Sequence, residues 1–166
     1  MSLRSIAIAL LVCIAIVWWV VRDDPETQVR DAHLALASAL NKPDGDAGSL
    51  SILELRALQQ LFADDCVISG DADTLARAYN REEIAGMIVR MRGLFRSIDL
   101  TISELTISFP SDDAAVTEFS AVLNASSDTV GGGAVAETRR VTAGMRNFDG
   151  AWVFSEFHLV EDNGVE

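Results

Sequence analysis

Phe148-Asp149-Gly150-Ala151-Trp152-Val153-Phe154-Ser155-Glu156-Phe157-His158-Leu159-Val160 holds a turn and a strand in one short segment. Asp-Gly is the pair preferred where a two-residue loop needs positive φ twice, as in a type I′ hairpin. The residues after the turn, Ala151 to Val160, are rich in aromatic and aliphatic side chains at strand spacing. The residues before it, Val135 to Phe148, read the same way, so the turn joins two long strands. Working outward, Gly131-Gly132-Gly133 closes an earlier hairpin, and two further β-rich runs stand at Ala114–Asn124 and Ile98–Phe109. Long strands joined by short turns predict an antiparallel meander. Strict alternation places Trp152, Phe154, Glu156, His158 and Val160 on one face of the last strand, and Val153, Ser155, Phe157 and Leu159 on the other.

Upstream the period changes to that of helices. After Pro25, which suits a first helical turn, Val29, Ala32, His33, Leu36 and Leu40 recur at helical spacing and predict a helix over 26–40. Residues 41–48 are a loop by their breakers. Ser51 and Glu54 form a capping box, with Leu50 and Leu55 as its staple, opening a helix that runs to about Phe62. Cys66-Val67-Ile68 reads as a short strand. Asn80 and Glu83 form a second box, and the helix behind it carries the stripe Ile84, Met87, Ile88, Met91, Phe95. Arg90, Arg92 and Arg96 are read as its solvated face. Helices first and sheet last is an α+β order. No internal repeat is present.

The 166 residues carry a net charge of −12, which repels nucleic-acid phosphates and excludes a nucleic-acid partner. Ile6 to Val21 is an unbroken apolar run. With its flanks, residues 3–22, it is long enough for one membrane span. It ends in Trp18-Trp19-Val20-Val21-Arg22 and offers no small-residue cleavage site, so an uncleaved signal anchor is expected. Residues 1–24 are then anchor and linker, and residues 25–166 one domain. The expected topology is a cytoplasmic N-terminus and an extracytoplasmic domain, periplasmic in a Gram-negative bacterium. Cys13 and Cys66 cannot pair within the domain. No metal and no cofactor are expected: Asp44-Gly45-Asp46 lacks the rest of a calcium loop, and the glycine triplet lacks a following Lys-Ser/Thr.

Leu61-Phe62-Ala63-Asp64-Asp65-Cys66-Val67, Asn80-Arg81-Glu82-Glu83-Ile84 and Asp149-Gly150-Ala151-Trp152-Val153-Phe154 stand in an order and spacing that resemble the nuclear transport factor 2-like (SnoaL-like) superfamily. The resemblance covers about residues 26–162. It implies N-terminal helices packed on a curved antiparallel sheet, a cone-shaped, cystatin-like roll with a pocket, and a homodimer formed through the sheet. Such folds host isomerases, cyclases, dehydratases, assembly domains and transport adaptors, so the resemblance does not choose among activities.

Trp152, Phe154, Glu156, His158 and Tyr79 are the candidate ligand-binding residues, the first four from their shared strand face. Glu156 and His158, with His33 from the first helix, are the candidate catalytic set, since an imidazole beside a carboxylate can move protons near neutrality. Glu118 and Glu137 are read as cross-strand partners of Arg139 and Arg140. Two functions fit. One is a membrane-held binding or assembly module for a small apolar ligand or a protein partner. The other is a small cofactor-independent enzyme of cyclase, isomerase or dehydratase type, using Glu156 and His158.

Overall fold

The computed structural model describes residues 24–70, 76–127 and 133–161. Their order is α1 (Pro25–Leu40), α2 (Ile52–Gln60), β1 (Phe62–Gly70), β2 (Arg77–Tyr79), α3 (Arg81–Leu94), β3 (Ser97–Ser111), β4 (Ala114–Ser126), β5 (Ala134–Phe148) and β6 (Ala151–Glu161). The apolar run of residues 3–22 lies outside the described residues. Among the described residues no helix is long and apolar enough to cross a membrane.

Both expected capping boxes form. The Ser51 hydroxyl accepts from Glu54 N at 3.3 Å while the Glu54 carboxylate accepts from Ser51 N at 2.7 Å. Asn80 and Glu83 repeat the exchange at 2.8 and 2.9 Å. Each box satisfies two N–H groups that a helix start leaves without intrahelical acceptors. At the β5–β6 hairpin Asp149 and Gly150 take φ of 52° and 89°, the double positive φ expected of the Asp-Gly turn.

The sheet order is β2-β1-β6-β5-β4-β3. Strands β3 to β6 are the antiparallel meander. Two features depart from the sequence reading. The strand at Cys66–Ile68 is longer, Phe62 to Gly70, and it lies parallel to β6, so the sheet is mixed. A three-residue strand, β2, pairs with it. Parallel pairing of the first strand with the last is open to them because β2, α3 and β3 to β5 lie between them in the chain, where a tight hairpin would make them antiparallel.

The core lies between the helices and one sheet face. Val29, Leu36, Leu58, Phe62, Ile84 and Ile88 meet Phe119, Val141, Ala143, Met145, Trp152 and Phe154 there. Arg92 is the exception to its expected solvated face: it is 4% exposed. It donates to the carbonyls of Ala39, Asn41 and Gly48 and pairs with Asp46 at 3.0 Å. The loop joining α1 to α2 is wrapped around this one guanidinium. Gly48, at φ 76°, lies so close that an added Cβ would sit 2.9 Å from the Arg92 carbonyl oxygen, which requires glycine.

Candidate functional site

α1 carries His33 onto the sheet's concave face, where the ring is 1% exposed. The rings of Phe119 and Phe154 meet it edge-on at 5.1 and 4.9 Å. Nδ1 lies 2.8 Å from the Val29 carbonyl, which can only accept, so Nδ1 carries a proton. Nε2 lies 3.0 Å from Thr117 Oγ1, which is also 3.3 Å from the Ala143 carbonyl. Burial holds the imidazole below its ordinary value of 6.5, with the Val29 bond opposing and nearby Arg30 adding to the depression. The ring is therefore neutral at pH 7, and its Nε2 lone pair accepts from the Thr117 hydroxyl.

Glu156 and His158 are not brought to His33. On β6 Phe154 pairs with Met145, but Glu156 pairs with the next residue back, Gly144, so Ser155 is an extra residue. This bulge shifts the period of two by one. Trp152 and Phe154 keep the core face before it. Phe157 takes that face after it, with its ring 5.0 Å from that of Phe154. Glu156, His158 and Val160 pass to the outer face. The shared face read from alternation is thus corrected: it splits at Ser155. Gly144 makes room, since a Cβ there would lie 3.3 Å from that of Glu156.

On the outer face Glu156 is exposed, while His158 is half-buried and bonds Ser69 Oγ through Nδ1 at 2.9 Å. Ser69 Oγ also lies 3.3 Å from the Phe157 carbonyl. Register places Val67 beside Glu156 and Ser69 beside His158 on β1. The expected cross-strand pairing of Glu137 with an arginine is replaced by pairing along the strand, Arg139 Nη2 to Glu137 Oε1 at 2.5 Å.

Tyr79, half-buried, packs against the core at the sheet edge, and the Arg77 guanidinium lies 4.9 Å over its ring. Trp152 is buried, its indole N–H has no acceptor among the described residues, and Phe109 packs on it at 5.6 Å. A buried donor left without an acceptor is uncommon in folded proteins. Among the described residues no group of three or more His, Cys, Asp or Glu side chains is placed to hold a metal. Thr117 is the polar partner that the sequence reading missed. The available signal was its place inside an apolar strand, Ala115-Val116-Thr117-Glu118-Phe119, in phase with Ala115 and Phe119.

No family model and no curated protein matches the chain. Solved structures do. A nuclear transport factor 2-like protein with a cystatin-like fold from Novosphingobium aromaticivorans is 14% identical, covers 99% of this chain and 92% of its own, and has a TM-score of 0.61. Hexachlorocyclohexane dehydrochlorinase LinA-type3 from Novosphingobium barchaimii is 14% identical over 85% of this chain and 92% of its own, with a TM-score of 0.62. A Xanthomonas campestris protein named for the association domain of calcium/calmodulin-dependent protein kinase II is 19% identical over 86% and 91%, with a TM-score of 0.58. The fold is that of nuclear transport factor 2-like, cystatin-like domains, and at these identities the likeness extends to the fold alone.

Proposed function

We propose that the domain is a small cofactor-independent enzyme of the cyclase, isomerase or dehydratase type, transferring a proton at His33 within a mainly apolar molecule. One observation carries this: the His33–Thr117 unit has a complete hydrogen-bond pattern in either protonation state. With neutral imidazole, Thr117 donates to Nε2. When Nε2 takes a proton, it donates to Oγ1 and the Thr117 hydroxyl turns to the Ala143 carbonyl at 3.3 Å. A proton can arrive and leave without orphaning a buried polar atom, which would cost about 1–3 kcal/mol. Burial keeps the base uncharged at neutral pH, and it takes a proton once the Thr117 hydroxyl turns away. Trp152 offers one unspent donor on the same sheet face for an acceptor atom of the ligand. That one solved neighbour is a dehydrochlorinase supports an elimination or isomerisation class.

The test is solvent-deuterium incorporation into a panel of small apolar ketones and β-hydroxy ketones, monitored by NMR. The wild-type chain should exchange the α-proton of at least one member, His33→Gln should lose this by roughly a hundredfold, and His158→Ala should keep it. Exchange by none of the panel, with no ligand moving the His33 ring signals, would reject the assignment.

A second reading, assembly, is favoured by the outer face, where Val67, Ser69, His158 and Val160 are only half-exposed side chains on a broad strand surface. We propose that a second copy or a protein partner pairs there, with the apolar run at residues 3–22 holding the domain outside a membrane. Sedimentation of the full chain in detergent tests pairing: Val160→Glu should convert a dimer to monomer, and a monomeric wild type would dismiss it. Protease protection in sealed vesicles tests the topology.

A further inference from the structure

We infer that a cleft on the opposite side of the sheet from His33 is a binding site for a small organic cation, a primary ammonium on a short apolar or aromatic body. Its origin is a mismatch between strands. From Phe62 to Val67, β1 advances five residues while β6 advances two, from Phe154 to Glu156, so Ala63 to Cys66 bow away from their neighbour. The opening has a volume of about 390 Å³, and Ala63, Asp64, Asp65, Arg81, Phe148 and Val153 are among the residues that line it. That size falls within the ordinary range for small-molecule sites.

The lining sorts by chemistry. Ala63 and Val153 are buried and, with Ala151, make an apolar floor. Phe148 lines it at the hairpin and is 54% exposed, a large aromatic surface open to water. Two carboxylates face one guanidinium. The guanidinium offsets one of them, since Arg81 Nε lies 2.5 Å from Asp64 Oδ1, a charge contact without hydrogen-bond geometry at Nε. Asp65 makes no ion pair among the described residues, so the cleft keeps one unspent negative charge in a lining that also holds the Phe148 ring. Arg146, the register partner of Val153, is not part of the lining. A carboxylate and a ring face together attract a cation, while the floor accepts the carbon body that carries it. An anion would meet Asp65, and a neutral molecule would use the floor and the ring alone.

Benzylammonium is the probe, titrated into the full chain with amide and methyl NMR as the readout. Saturating shifts centred on Ala63, Ala151 and Val153 are expected, with the His33 ring signals unmoved. That second condition separates this cleft from the proposed proton-transfer site, so either can fail alone. Benzyl alcohol, of the same shape without charge, should bind about tenfold more weakly. Asp65→Asn should bring benzylammonium down to the level of the alcohol, and Phe148→Leu should weaken it as well. Asp65 and Phe148 are exposed, so neither change threatens the fold. Equal binding of amine and alcohol, shifts centred elsewhere, or no effect of Asp65→Asn would each overturn the assignment.

Discussion

Lys42 and Arg92 cap each other's helices. Lys42, just past the end of α1, donates from Nζ to the Arg92 and Phe95 carbonyls at the end of α3, at 2.8 and 2.7 Å. Arg92 returns the contact, donating from Nη1 to the Ala39 carbonyl near the end of α1 at 3.1 Å. Cations at helix C-termini meet the negative end of the dipole and the last unpaired carbonyls. Here the two cations are 6% and 4% exposed, so the arrangement is structural and sheltered from salt.

Arg92→Met should therefore cost about 3 kcal/mol or more, because it takes the guanidinium away from the Ala39, Asn41 and Gly48 carbonyls and leaves Asp46 without its ion-pair partner. The exposed ion pair of Arg30 with Glu26, at 2.9 Å, is the control. Its loss in Arg30→Met should change stability by less than about 1 kcal/mol. Urea unfolding of the two variants measures the contrast.

His33 makes stability depend on pH with a definite sign. Its folded pKa lies below its ordinary value of 6.5, so the unfolded chain takes up the proton first as pH falls. Its contribution is present in full above 6.5 and is lost as pH drops from there toward the folded value. Urea midpoints of wild type and His33→Gln, compared between neutral pH and pH about 5, should show a steeper fall in wild type.

The bulge at Ser155 leads to an unusual expectation for deletions. Removing Ser155 leaves Phe154, Phe157 and Leu159 on the core face, because the extra residue is the one removed. The cost should be about 1–2 kcal/mol, with the His33–Phe154 ring contact retained in NMR. Deleting Val153 instead turns Trp152 to the outer face and should cost more than about 4 kcal/mol.

Ser51→Ala removes the hydroxyl acceptor of the first capping box and should lower stability by about 1 kcal/mol. The Glu54 carboxyl, held below its usual range first by the Ser51 bonds, should then titrate closer to the ordinary value of 4.5. Carboxyl ¹³C shifts report this directly.

The fold was legible where its cause is local. Capping boxes name their own helices, and Asp149-Gly150 names its hairpin. The pairing of β1 with β6 was not legible, because which distant strand a short segment joins depends on packing and leaves no periodicity. The bulge escaped because a period of two cannot register one added residue. Its trace was present, since Phe154 and Phe157 stand three apart where alternation allows two or four. Arg92 was read by its charge, although it continues Ile84 and Ile88 at intervals of four and so belongs to the buried stripe. Of the candidate site, His33 was placed on the apolar side of its helix. Its partner Thr117 and the departure of Glu156 and His158 to the other face required the register of the sheet.

Lys42 is the chain's only lysine, and its amine is spent inside the fold on two carbonyls. Reagents that acylate side-chain amines consequently have no target on the folded domain until the ends of α1 and α3 separate. Acylation at this one position becomes a clock for that opening. A labelling survey of folded proteins that relies on lysine amines will see this domain only when it has come apart.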